Sequence, residues 1–586
     1  MKTQMKSAVR PLLCFVITLV ACAPLVAAAA EASKQMPVYV YLFAHYEDHI
    51  NLDLSEWRIK EVMRILSDAH RAHPDRVAAV GEFYGADSEI FQQRNRESGI
   101  MDLIRRCVGG GWYDVGYHST HEPIYVTTQR ATRNLTGKSW KEIYAASRSF
   151  YTAHRDLKTG EQDASRKGGV ALMQEVFGPA TVLSGAAGPT DPPGTLALCD
   201  LTGCRVLFGF TDHGPAMFNR DYAPAVLEIR KAVSPTPETS PDVFWFMGCL
   251  VTSSHPVTRE VGVISSVLPP DQVMATFQRL DRTRVAVPHM MYGAKFIYAR
   301  ASPTQYAYGG DRNSAPFRAT RESRGDDFRL PAELLVPEAE RKQKIENFRL
   351  NLDWLLTKYF PANAGSRCVG NRLLLDLTVP YTGDSISAAD LDRAIAGLLR
   401  DWTERPPNFA STGTRYLTLA QTFKLLATAL KSHAERGSLP ATFQTDLTYG
   451  PIGTWPEVVQ GVETDVEAQV VITAASQIIF GPERQRGEAQ PPANRVPLNV
   501  TAGGKMMHAA QFLRLMAETY QALRGGKPPG TLRLRPSNIL PPLSPLWKRA
   551  HRVYEDTPAA YSYLQLWTVK PAQFKEVVQT TMEGPR

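Results

Sequence analysis

VGYHSTHEP, residues Val115 to Pro123, is the stretch on which the reading of this chain turns. It follows an amphipathic segment that stops at Gly109, Gly110 and Gly111, and its short apolar opening reads as a strand. Such a strand carries two imidazoles, His118 and His121, to its C-terminal end, where open α/β sheets bind ligands. Neutral imidazole is the commonest metal ligand, so two at close spacing suggest part of a coordination shell. Two surface histidines at a strand end fit the same residues.

Upstream, PVYVYLF (Pro37 to Phe43) is β-branched and aromatic enough for a strand buried on both faces, and it runs into HYEDH, His45 to His49. Between the two motifs lie a helical pattern from Ser55 to about Ala72, a strand from Arg76 to Tyr84 and a helix from Ile100 to Cys107. Strands alternating with helices predict a parallel sheet with crossover connections. A polar, irregular segment follows from Thr127 to Asp163, read as an insertion or helical cover. The alternation then resumes, with a helix at Gly169 to Phe177 and strands at Ala180 to Leu183, Cys204 to Phe210, Val243 to Met247 and Arg284 to His289. Asp271 to Leu280 is a further helix. Apolar strands repeatedly stop on His or Asp: His45 to His49, His118, Asp212 with His213, and His289. One site at the strand C-termini accounts for this better than scattered solvated caps.

At 586 residues the chain exceeds a single hydrophobic core. Its net charge of +8 comes from scattered Lys and Arg, with no block of the kind that marks a nucleic-acid arm, so no nucleic-acid partner is expected. Lys2, Lys6 and Arg10, an apolar run to Val26 and Ala27 to Ala30 read as a signal peptide over residues 1–32. The LVAC motif ending at Cys22 also fits a lipid-anchored form, so the protein is expected in the periplasm or outside the cell. No later stretch is apolar enough for a transmembrane helix. Five cysteines follow the leader, and Cys199 and Cys204 flank a turn-like loop that a small disulfide could close.

Taken together, the first-strand ending Tyr46-Glu47-Asp48 and the third-strand sequence from Gly110 through His118, His121 and Pro123 resemble the polysaccharide deacetylase (NodB-homology) family. The resemblance covers about residues 37–300 and implies an α/β fold, an irregular (β/α)7-type barrel, with a divalent metal, zinc above all. It implies Asp48, His118 and His121 as ligands, Glu47 as general base and His289 as general acid, acting on an acetylated polysaccharide. Two departures stand out. The histidines here are three apart where the family places them four apart, which makes Glu122 an alternative ligand, and the base position carries Glu instead of Asp. His45 and His49 are further alternative ligands, and Asp212 and His213 are candidates for orienting the base or lining a sugar pocket. Glu47 and Asp212 would instead serve as the acid/base pair of a glycoside hydrolase on a related barrel. A non-catalytic glycan-binding relative is the third reading.

Residues 301–410 read as a linker and α+β accessory segment, with a helix from Glu338 to Tyr359, a strand from Leu373 to Val379 and a capped helix from Ser387 to Trp402. Residues 411–586 read as a mainly helical region with a duplicated helix-loop unit: Thr418 to Phe443 aligns without gaps on Met507 to Leu532. Each copy ends in Gly and a Pro-bearing loop and resembles pseudomurein-binding-type repeats, which implies cell-wall or glycan binding. Trp455, Trp547 and Tyr449 are the candidate sugar-stacking residues.

Overall fold

The structure is a computed structural model that describes residues 35–46, 51–83, 91–118, 138–155, 162–178, 182–186, 192–208, 236–252, 263–293, 295–300, 330, 332–453, 463–527, 530–539, 564 and 566–577. It is a mixed α/β structure built on one large sheet. The strands are β1 (Tyr39–Tyr46), β2 (Ala79–Phe83), β3 (Tyr113–His118), β4 (Val182–Ala186), β5 (Val206–Phe208), β6 (Thr239–Phe246), β7 (Cys249–Thr252), β8 (Ile264–Ser265), β9 (His289–Met291), β10 (Arg367–Val369) and β11 (Val569–Gln573). In space they follow the order β8-β9-β1-β2-β3-β4-β5-β7-β6-β11, with β10 paired to the first half of β1. All pairings from β8 to β7 are parallel, while β6 and β11 add antiparallel strands at one edge. Both β10 and β11 come from beyond residue 300, so the sheet draws on late segments of the chain as well.

Side-chain alternation gives the sheet two faces. On β1, Val40, Leu42, Ala44 and Tyr46 join the core under the helices, whereas Tyr39, Tyr41 and Phe43 join an inner cluster with Val80, Val206, Leu250, Val285 and Val287. The sheet curls strongly. Thr252 Oγ1 lies 2.7 Å from His289 Nε2 although β7 ends the parallel run and β9 is the second strand from its other end. Those strands are separated by about six ladder steps, which a flat sheet would spread over roughly 29 Å at ~4.8 Å per step.

The helices are α1 (Leu52–Ala72), α2 (Ile100–Gly109), α3 (Trp140–Thr152), α4 (Gly169–Phe177), α5 (Pro192–Thr202), α6 (Pro270–Gln278), α7 (Glu338–Trp354) and α8 (Asn371–Leu377). Helix α1 buries Ile59, Val62, Met63, Ile65 and Leu66 at the predicted 3.6-residue spacing. Helix α3 lies inside the segment read as an insertion or helical cover, and its Ser139/Glu142 capping box is its start signal. The expected strand at Leu373 to Val379 is instead helix α8. A short apolar run does not distinguish strand from helix by periodicity, and a tertiary contact decides it here: Asp114 accepts from the Arg372 N–H at 2.9 Å and caps the helix. Burial pushes the Asp114 carboxyl up to about 6 despite that bond. Gly370 is required beside it, because a Cβ there would sit 2.7 Å from Asp114 Oδ2 and 2.8 Å from the Ala79 carbonyl oxygen. The expected strand ending on His289 instead begins there, in register with Tyr41. Pro288, which has no N–H to donate, interrupts the ladder just before it.

The second region contains α9 (Ala388–Arg400), α10 (Leu419–Arg436), α11 (Ala468–Ser476) and α12 (Ala509–Arg524). The duplication is larger than the helix-loop unit read from sequence. Each copy is a strand, a helix, a hairpin, a second helix and a closing strand that pairs with the first: Ser385–Ser387 with Thr442–Gln444, and Thr464–Glu467 with Thr531–Leu534. The hairpins are Phe409–Ser411/Tyr416–Thr418 and Asn499–Ala502/Lys505–His508. Thr418 with Gln421 and His508 with Gln511 form matching capping boxes. Equivalent caps therefore correct the gapless alignment, which paired Thr418 with Met507. The glutamines match as well, Gln421 donating to the Asp446 carbonyl and Gln511 to that of Arg535.

His508 is a buried cap with an acid liability. Its Nδ1 accepts from the Ala510 and Gln511 N–H groups, which leaves Nε2–H to donate to the Ser537 carbonyl at 2.9 Å. Burial pushes the imidazole down to about 4 from its usual 6.5. The folded state thus holds the neutral ring, and its stability is full above pH 6.5 and falls as pH drops toward 4, by on the order of 3 kcal/mol. His508→Thr, the residue of the other copy, is expected to keep the cap and flatten this loss. Denaturation midpoints measured from pH 7 to pH 4 check it.

Candidate active site

The C-terminal ends of the parallel strands lie along one edge of the curled sheet. On β1, His45 continues the inner-face series Tyr39, Tyr41, Phe43, and in β2 its direct ladder partner is Glu82. The two side chains approach to 3.2 Å, with Glu82 fully buried and His45 13% exposed. Phe43 packs against His45 with ring centroids 5.2 Å apart and against His289 at 6.2 Å. Its ring thus lies between the two imidazoles. His289 also packs on Tyr41 at 5.0 Å and is 3% exposed, held by Thr252. Glu82, His45, Phe43, His289 and Thr252 form one continuous row across the inner face.

This row holds two imidazoles, each oriented by a neighbour: one by a carboxylate, the other by a hydroxyl. A carboxylate beside an imidazole fixes its ring, and an imidazole so held is suited to proton transfer. Glu82 and Thr252 were not singled out in the sequence. The available signal for Glu82 is a lone carboxylate inside the apolar strand from Arg76 to Tyr84. Thr252 offers none, since threonine is an ordinary strand residue.

The remaining expected residues fall unevenly. His118 is the last residue of β3, two strands from β1 through β2. Glu47, Asp48, His49, His121, Glu122, Asp212, His213, Trp455 and Trp547 lie outside the described residues. Glu47 and Asp48 follow directly in sequence on Tyr46, the end of β1, and Asp212 and His213 follow Phe208, the end of β5, within five residues. Among the described residues no three His, Cys, Asp or Glu side chains gather as a metal site. Tyr449 is corrected: it is 2% exposed and packed in the core of the second region, so it offers no sugar-stacking face. No helix among the described residues is long and apolar enough to cross a membrane.

No family model matches the chain, and no curated protein matches it. Three chains of solved structures match, among them the 4-alpha-glucanotransferase from Thermococcus litoralis, at 11% identity and a TM-score of 0.27. That alignment covers 51% of this chain and 40% of that one.

Proposed function

We propose that the chain is an exported, metal-dependent hydrolase that removes acetyl groups from a polysaccharide, with the deacetylase-like site at the strand C-termini. One observation carries this reading. β1, which leads into Glu47 and Asp48, and β3, which ends at His118, are parallel strands separated by β2 alone, and β2 supplies the buried Glu82 beside His45. Motifs 70 residues apart in the chain, at positions 48 and 118, thus lead to one edge of the sheet. The contact between Thr252 and His289 supports a barrel of the (β/α) kind, with eight parallel strands in its run instead of seven.

The donor set of one carboxylate and two imidazoles, Asp48, His118 and His121, suits a divalent cation such as zinc, with open positions left for water and substrate. When bound, such a cation acidifies a water and polarises an amide carbonyl. Glu47 takes the proton of the attacking water. His45, oriented by Glu82 and more open than His289, returns a proton to the departing amine. His289, held by Thr252, packs beneath Phe43 and positions that ring against His45. The resemblance of the second region to wall-binding repeats assigns it to holding the polymer.

Purified full chain is tested on an N-acetylglucosamine oligomer for acetate and for reducing ends, with and without a chelator. The expected result is acetate release without new reducing ends, lost on chelation and restored by zinc or cobalt. New reducing ends without acetate would establish a glycoside hydrolase instead.

A further inference from the structure

Three sulfurs meet where α5 leads into β5 and β7 begins. Cys199 Sγ lies 3.5 Å from Cys249 Sγ, although the residues are 50 apart in the chain. Cys204, the partner expected from sequence, also touches the Cys199 thiol, but its own S–H donates to the Val206 carbonyl at 2.7 Å. Cys249 is buried at the first residue of β7, and Cys199 on α5 is half-buried. We propose that Cys199 and Cys249 form an oxidation site that closes to an intrachain disulfide and staples α5 to the start of β7.

The sulfurs need to approach by about a further 1.5 Å to reach the ~2.05 Å of a disulfide. The oxidant is a small disulfide, RSSR, such as oxidised glutathione. The Cys199 thiolate attacks RSSR and releases one RS⁻; the Cys249 thiolate then attacks the mixed disulfide and releases the second. The two cysteine protons end on the released thiolates, so two protein thiols and RSSR give one protein disulfide and two RSH. Hydrogen bonding among the thiols and burial hold Cys199 and Cys249 well above the usual thiol range. Exchange in the folded chain is therefore slow, because the thiolate is the reacting form, and closure belongs to folding.

The staple sits at a junction. Asp200, next to Cys199, accepts from Arg484 of the second region, and β7, which Cys249 opens, ends on Thr252, the partner of His289. A covalent link at this point ties the contact between the regions to the inner face of the sheet.

The test refolds the full chain in a reduced/oxidised glutathione mixture, alkylates free thiols and maps tryptic peptides by mass. Cys199 and Cys249 are expected to escape alkylation and appear in one cross-linked peptide, with a thermal midpoint about 5 °C or more above that of the reduced protein. Cys204→Ala keeps the link, and Cys249→Ala removes it. Full alkylation of both residues after refolding in oxidant, or a Cys199–Cys204 peptide, overturns the proposal.

Discussion

Arg484→Ala is expected to cost about 3–5 kcal/mol of stability, the penalty for leaving one member of a buried ion pair without its partner. The side chains of Arg484 and Asp200 are only 5% and 7% exposed. The guanidinium grips both carboxylate oxygens, with Nη1 donating to Oδ1 at 3.0 Å and Nη2 to Oδ2. It also donates to the Glu488 carbonyl and lies over the Tyr144 ring, 5.6 Å from its centroid. Tyr144 closes the cluster by donating its hydroxyl to the same carboxylate. Without the arginine, the buried Asp200 carboxylate is left with the Tyr144 hydroxyl as a donor in place of the guanidinium fork. Arg484→Lys is expected to recover part of the loss, because a point charge replaces the planar fork that matches a carboxylate. Combining Asp200→Asn with Arg484→Met should lose less than Arg484→Ala alone, since the double change removes both charges together. Denaturant midpoints of the four proteins decide it. A loss below about 1 kcal/mol for Arg484→Ala would mean that the pair behaves as an exposed one.

That ion pair was invisible in the sequence, and the reason is general to this molecule. Local patterns marked local elements well: the apolar run before His45, the amphipathic spacing of α1 and the helix from Gly169 to Phe177 all stand where periodicity put them. Failures came where a distant residue decides. Leu373 to Val379 reads as a strand until Asp114, more than 250 residues away, caps the helix that takes in Leu373 to Leu377. Cys199 and Cys204 look like partners because they are near in sequence, yet the sheet brings Cys249 to the same sulfur. The repeat was found from its second helix, whose capping boxes are local, while its pairing of first and last strands needs the fold. The site follows the same rule. Strand endings named His45, His118 and His289 by position, but Glu82 beside His45 and Thr252 beside His289 are choices of strand order and curl.

The same strand order separates the roles proposed for the imidazoles, and substitutions are expected to split them. His118→Ala should lower acetate release by on the order of 10³-fold and abolish binding of divalent metal, because it removes a donor to the group that stabilises developing charge. His45→Ala should cost about 10²–10⁴-fold, the usual weight of a general acid, and leave metal content unchanged. Glu82→Gln should fall between the native protein and His45→Ala, at about 10–100-fold, since it acts by orienting the ring and not by meeting substrate. Its distinguishing readout is metal content together with rescue by the conservative variant. The Glu82 carboxylate lies 3.2 Å from His45, so Glu82→Gln should leave metal content unchanged and Glu82→Asp should recover part of the rate. His289→Ala opens a gap beside Phe43 and Tyr41 and should reduce the rate less than His45→Ala, with metal retained. If His289→Ala cost more than His45→Ala with metal retained, the proton donor would be His289, and the pair on β1 and β2 would be structural. If His118→Ala kept full metal occupancy, the ligand set at the end of β3 would be wrong, whatever the rates.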